Sequence, residues 1–155
     1  MISSSFKVLQ VNLNHSAPAT ESALQVAVEL KVDLLVVQEP WIAPRSLDQD
    51  ATSTRLVLHP SFTQILPADL SYRPRTLVYV ARSFRPLVSL ATSSPQDPDL
   101  LVVDIIEGKS QIQLLNIYNE DSQSGSGPRT LERVLYSYTL PPSFLLLGDF
   151  NTHHP

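Results

Sequence analysis

Four strand-like runs in this sequence end on side chains that carry oxygen or amide groups. Asn12 follows FKVLQV, Glu39 follows DLLVVQ, Asn116 and Tyr118 close QIQLLNIY, and Asp149 and Asn151 follow FLLLG. Strand ends that feed loops are where sheets usually mount catalytic groups. Two carboxylates with three amides and a phenol suit a hard divalent cation. Mg²⁺ takes one or two carboxylates, keeps several waters and completes its shell with phosphate oxygens. On this reading Glu39 is the metal ligand, and Asp149 binds the ion or orients the attacking water. Asn12 and Asn151 hold the outer shell and a phosphate oxygen, and Tyr118 donates to the oxygen on which charge develops. No other ionisable set in the chain makes a comparable constellation.

Each of these residues also admits a plainer role. Asp-x-Asn after a strand is ordinary turn chemistry, in which the Asx side chain bonds its own backbone. Only if the strand runs on through Asn151 does period 2 place Asp149 and Asn151 on one face. Glu39 as a solvated acid, Asn12 as a loop cap and Tyr118 as a half-buried core aromatic are the corresponding alternatives.

The elements that must position these groups follow from pattern. Phe6–Asn14 is apolar on both faces and predicts a central strand covered on both sides. An amphipathic helix starts between Ser16 and Thr20, with Ala23, Leu24, Ala27, Val28 and Lys31 on one stripe. Asp33–Gln38 predicts a second buried strand, which Pro40 terminates. After a polar connection over 42–53, short strands are expected at Arg55–Leu58, Phe62–Leu66, Thr76–Ala81, Leu87–Leu90, Leu100–Ile106 and Gln111–Tyr118. Ser124-Gly125-Ser126-Gly127 lacks the Lys-Ser/Thr ending of a phosphate loop and reads as a flexible connection. A short helix follows over Thr130–Tyr138, and a last buried strand leads into Gly148. A helix after the first strand, then many strands, then a helix predicts a layered α/β sandwich with mixed, mostly antiparallel sheets.

Bulk properties narrow the function classes. At 155 residues the chain is read as one domain, 1–155, with a net charge of −4 and so no global field attracting polyanions. Any polyanion must be held by local groups or a metal. The absence of cysteine excludes disulfide frameworks and thiolate zinc sites. No apolar run approaches a membrane span, and no signal peptide is visible, so an intracellular protein without a membrane partner is expected. Arg73, Arg75, Arg82 and Arg85 are four of eleven basic residues, packed closely together. They suit either phosphate contact or charge protection of a strand edge.

The motifs NLNH (12–15), QEPW (38–41), NIYN (116–119) and GDFNTHHP (148–155) resemble, in order, those of the endonuclease/exonuclease/phosphatase family, the DNase I-like enzymes. The wording is most similar to the endonuclease domain of non-LTR retrotransposons. The resemblance implies a four-layered α/β sandwich and Mg²⁺-dependent phosphodiester cleavage, with Mn²⁺ as the alternative ion and DNA as the partner. By motif match Glu39 carries the metal and Asp149 the nucleophilic water, and Asn12, Tyr118 and Asn151 support them. Arg73 and Arg75 from the arginine cluster, with Asn119, are the expected substrate contacts. An active retroelement protein would work in the nucleus.

Two departures stand beside the match. Where the family has Asn three residues after the tyrosine, this chain has Asp121, with Asn119 adjacent to the tyrosine instead. The family's late aspartate and its Ser-Asp-His are missing, so the chain reads as the front part of a domain, incomplete at the C-terminus. His153 and His154 follow Asp149 on the same strand end, whereas the family histidine arrives from elsewhere. His15 and His59 read as loop residues. Two functions are therefore carried forward, a metal-dependent nuclease and a non-catalytic remnant of one. Most of a covering second sheet is expected beyond Pro155, which predicts an apolar layer left partly bare.

Overall fold

Ser16 sets the first helix in place. Its hydroxyl accepts from the Ala19 amide at 3.2 Å, and Pro18 supplies a preset φ in the first turn of α1 (Ala17–Glu29). The computed structural model describes residues 5–43, 56–120 and 129–151. In these, β1 (Val8–Asn12) precedes α1 and β2 (Leu34–Gln38) follows it. Next come β3 (Phe62–Ile65), β4 (Thr76–Ala81), β5 (Leu87–Leu90), β6 (Leu100–Glu107) and β7 (Ser110–Tyr118). A second helix, α2 (Thr130–Ser137), leads into β8 (Phe144–Asp149).

The strands form two four-stranded sheets, ordered β1-β2-β4-β3 and β5-β6-β7-β8. In each sheet the pair joined by a helical crossover is parallel, β1 with β2 and β7 with β8, and the rest are antiparallel. Alternation along the strands sorts side chains into three apolar layers. Leu35, Val37, Leu77 and Tyr79 pack under α1 with Leu24 and Ala27. Leu34, Val36, Val78, Leu101, Val103 and Leu114 fill the space between the sheets. Val102, Leu115 and Ile117 pack under α2 with Val134. The layers run helix, sheet, sheet, helix.

Several expectations are corrected. β1 is an edge strand of half-buried residues, because within its sheet it pairs with β2 alone. β8 is likewise an edge strand rather than a buried one, and Phe144 at its start is exposed. The strand expected at 55–58 reduces to an isolated bridge between Ile42 and Leu56, and Ile42, placed in a polar connection, is buried. The α1 stripe is Thr20, Leu24 and Ala27. Val28 turns outward, and Lys31 lies past the helix end at φ 53°. The second sheet is present in the chain as β5–β8, so β2 and β4, buried throughout, are covered on both faces. Asp121, Ser124–Gly127, His153 and His154 lie outside the described residues. No helix among the described residues is long and apolar enough to cross a membrane.

Candidate active site

The apolar alternation that fills the space between the sheets changes character at one end. On β2 it runs Leu34, Val36, then Gln38. On β7 it runs Ile112, Leu114, then Asn116 and Tyr118, and on β8 Leu145, Leu147, then Asp149. On β1, Val8 is followed by Gln10 and Asn12. Parallel pairing levels these ends, with Asn12 beside Gln38 and Tyr118 beside Asp149.

The first polar layer is closed on itself. Gln10 donates to Gln38 at 2.6 Å, and Gln38 donates to Asn116 Oδ1 at 2.6 Å. Asn116 Nδ2 reaches across to the carbonyls of Val37 and Leu77 at 2.9 and 3.1 Å. Gln38 and Asn116 are fully buried, and no buried side-chain polar atom among the described residues lacks a partner. A satisfied network of this kind fixes the two sheets in one relative position.

Above that floor stand the carboxylates. Asp149 Oδ2 accepts from Asn12 Nδ2 at 2.7 Å, and Oδ1 accepts from the Asn151 amide at 3.0 Å. The strand ends at Asp149 and Asn151 lies beyond it at φ 44°, so the turn, not a shared strand face, joins these two residues. Glu39, also left-handed at φ 48°, donates its amide to the Arg75 carbonyl at 2.9 Å. Its carboxylate lies 3.4 Å from His15 Nε2 and is near enough to the Tyr118 phenol to act on it electrostatically. Burial, then the charge and hydrogen bond of Glu39, push the Tyr118 phenol above its ordinary value. Arg75 pulls it back and Asp149 adds to the rise. Asn12 bonds Asp149 and pairs with the Gln38 that precedes Glu39, Tyr118 pairs with Asp149, and the Asn151 amide bonds Asp149, so Asn12, Glu39, Tyr118, Asp149 and Asn151 stand at one rim.

The three residues assigned to substrate sit differently. Arg75 lies over the Tyr118 ring, 4.8 Å from its centroid, and its guanidinium is committed to Asp99 and Glu120. Arg73 Nη2 donates to the Ile42 carbonyl at 3.1 Å, tying two rim loops together. Asn119 is buried and used internally. It accepts from the Leu131 amide in the first turn of α2 at 3.0 Å and donates to the Phe150 carbonyl at 2.8 Å. Its backbone amide also holds the Asp149 carbonyl at 2.8 Å. Asn119 thus fixes the strand end that carries Asp149 and presents no donor to the rim.

No protein-family model matches the sequence, and no curated protein matches it. Solved structures do. The endonuclease domain of TRAS1, a telomere-specific non-LTR retrotransposon, matches 97% of this chain with a TM-score of 0.65 at 18% identity. An endonuclease/exonuclease/phosphatase family protein from Leptotrichia buccalis matches 96% with a TM-score of 0.58 at 12% identity. The chain has a DNase I-like fold. A humanized D. rerio TDP2 matches 95% with a TM-score of 0.50 at 12% identity. The chain spans 61% of the TRAS1 domain, 67% of the Leptotrichia protein and 63% of the TDP2 chain.

Within this DNase I-like fold the donor set can be tested against a metal on chemistry alone. Among the described residues no cluster of three or more His, Asp or Glu is poised to hold an ion. An ion that keeps several waters needs only one or two carboxylates from the protein. Glu39 and Asp149 meet that requirement, with amides rather than further charges around them. The largest groove described, between α1 and residues 57–59, lies on the far side of the first sheet and contains none of these groups.

Sequence reasoning passed over Gln10, Gln38, His15, Asp99 and Glu120. Gln38 was legible in principle, since an amide that continues the Leu34, Val36 parity must be buried and so must find a partner. The Asp99 and Glu120 contacts join residues 24 and 45 positions from Arg75, which no local pattern reveals.

Proposed function

We propose that the chain is a Mg²⁺-dependent phosphodiester hydrolase of the DNase I-like family, cutting DNA as retroelement endonucleases do, and acting inside the cell where that DNA lies, in the nucleus. One observation supports this reading: Asn12 of the first sheet, paired with the Gln38 that precedes Glu39, donates to Asp149 of the second sheet at 2.7 Å, so carboxylates carried by the two sheets share one rim. Glu39 would hold the ion, with Asp149 beside it, and Mn²⁺ would serve in place of Mg²⁺. When bound, the ion supplies charge neutralisation at the phosphate and a more acidic water. Asp149, held on one oxygen by Asn12 and on the other by the Asn151 amide, is oriented to accept a proton from an attacking water. The Tyr118 hydroxyl is placed to donate to a phosphate oxygen as charge develops on it. The match to the endonuclease domain of a telomere-specific retrotransposon supports DNA as the substrate class.

The test uses two readouts on chain 1–155, Glu39→Ala and Asp149→Ala. Trp41, the only tryptophan and two residues from Glu39, reports Mn²⁺ binding by fluorescence. Nicking of a supercoiled plasmid reports cleavage. Both substitutions are expected to weaken Mn²⁺ binding and abolish metal-dependent nicking. Wild-type nicking is expected to be slow, by about the 10²–10³ that loss of one oxyanion donor costs, since no Ser-Asp-His occurs in the sequence. Metal binding without nicking would make the chain a non-catalytic remnant. Metal-independent behaviour identical in all three proteins would refute the metal site.

A further inference from the structure

Arg75 is the most heavily connected residue of the rim, and phosphate contact does not explain its connections. Its guanidinium forks onto Asp99, with Nε and Nη2 each 2.5 Å from a carboxylate oxygen, and Nη2 also donates to Glu120. Asp99 is 3% exposed, so this fork is the main compensation for a buried charge. Burial works against the Arg75 charge, but the hydrogen bonds and charges of Asp99 and Glu120 outweigh it and hold the guanidinium more firmly protonated than usual. Arg133 of α2 reinforces the arrangement, bonded to Asp97 at 3.0 Å and 3.7 Å from Asp99.

The backbone repeats the pattern. The Arg75 amide donates to the Pro98 carbonyl at 2.8 Å and its carbonyl accepts from Glu39 at 2.9 Å. The Tyr118 amide donates to the Asp99 carbonyl at 2.9 Å. Arg75 immediately precedes β4 of the first sheet, whereas Asp99, Tyr118 and Glu120 belong to the second sheet and its loops. The clamp therefore crosses the gap between the sheets at the level of the site. Its guanidinium carbon lies over the Tyr118 ring, 4.8 Å from the centroid.

We propose that Arg75, held by Asp99 and Glu120, is a positioning residue that fixes the Tyr118 ring so that its hydroxyl stays at the rim. This deepens the nuclease reading and rests on it for its catalytic meaning. A planar guanidinium presses a ring in place through cation–π attraction and stacking while its edge donors are fixed by carboxylates, which an ammonium cannot do. The arginine that pattern alone suggests for substrate thus acts through Tyr118.

The test reads the rotamer of Tyr118 directly by NMR, from three-bond couplings about χ1, with the resonance assigned through Tyr118→Phe. In wild type a single rotamer is expected. In Arg75→Met the couplings move to averaged values. Because that variant leaves Asp99 buried without its partner, Glu120→Gln is the second probe. Glu120 is partly exposed, so its loss loosens one arm of the clamp without leaving a buried acid unpaired. It is expected to give partial averaging in a fully folded protein. Mn²⁺ affinity, read through Trp41, should change far less in both variants than the roughly 10–100-fold seen when a residue that orients a metal ligand is removed. Single-rotamer couplings retained in both variants would overturn the proposal. If wild type binds no Mn²⁺, the nuclease reading fails, and the couplings still decide whether Arg75 positions the ring.

Discussion

Gly148→Ala is the substitution that tests most directly how the sheet carries the site. Gly148 pairs with Ile117 in the parallel β7–β8 ladder, one residue before Asp149. A Cβ at this position would stand 2.0 Å from the Ile117 carbonyl oxygen and within 3.0 Å of its carbon and nitrogen. All three obstacles are backbone, so no side chain can swing away. Reaching the 3.0 Å below which real contacts are not found requires β8 to retreat by about 1 Å. Overpacking of this sort costs about 1–3 kcal/mol, and the clash here is at the upper end. A loss of about 3 kcal/mol corresponds to a fall in urea midpoint of about 1–2 M at an ordinary m value. The same retreat draws Asp149 away from Asn12 Nδ2, now 2.7 Å distant, and from Tyr118 beside it. Misplacement by about 1 Å can cost on the order of 10² in rate, so Mn²⁺ affinity and nicking should fall even in the fraction that stays folded. Urea titration with an unchanged m, followed by Mn²⁺ titration of the folded protein through Trp41, separates the two effects. Stability within about 0.5 kcal/mol of wild type, with Mn²⁺ affinity intact, would show that β8 does not need this close approach.

Three further outcomes follow from named contacts. Asn116→Leu removes the bridge between sheets and leaves Gln38 Nε2 and the Val37 and Leu77 carbonyls without that partner. A loss of about 3 kcal/mol and a melting temperature lower by about 6–12 °C are expected by calorimetry, and a loss under about 1 kcal/mol would contradict the polar floor. Asn12→Ala frees one oxygen of Asp149 and is expected to weaken Mn²⁺ binding about tenfold while leaving urea stability nearly unchanged. Tyr79 is buried, donates to the Val57 carbonyl at 2.8 Å, and burial pushes its phenol from 10.0 up to about 12. The folded state keeps this proton after the unfolded chain has lost it. The stabilisation, about 3 kcal/mol, is therefore complete below pH 10 and lost as pH rises towards 12. Tyr79→Phe should flatten that alkaline decline in pH-dependent denaturation.

Local pattern made β4 and β5 legible to the residue, because Thr76–Ala81 and Leu87–Leu90 are bounded by proline and polar breaks. It also placed the start of α1 between Ser16 and Thr20, and the helix begins at Ala17. What pattern could not supply was the order of strands. Phe6, Val8, Leu9 and Val11 are apolar on both faces because β1 packs between α1 and the second sheet, not because strands flank it on both sides. The same error of inference makes FLLLG look buried. Its alternate residues meet two different apolar layers while its outer edge stays open. Expecting most of a second sheet beyond Pro155 left β5–β7 without an assigned sheet. Their local sequence is equally compatible with either sheet, and only long-range pairing decides.

Strain and support at the rim are two sides of one construction. Of the five described non-glycine residues with positive φ, Asn14, His15, Glu39 and Asn151 all stand at this rim, and only Lys31 at the end of α1 lies elsewhere. Asparagine tolerates that region, but for His15 and Glu39 it costs about 1–3 kcal/mol each. Such a conformation persists only where neighbours dictate it. The His15 amide is held by the Glu39 carbonyl at 2.8 Å, and the Glu39 amide by the Arg75 carbonyl. Arg75 is itself anchored through Asp99 to the second sheet. Beneath them the Gln10–Gln38–Asn116 chain locks the sheets together. The left-handed turn at Glu39 is what lifts its carboxylate out of the strand and towards Tyr118. The same backbone in an ordinary extended conformation would continue the ladder and direct that carboxylate elsewhere. The rim is therefore where stability is given up, and the buried amides and the Arg75 clamp are what allow it to be given up there.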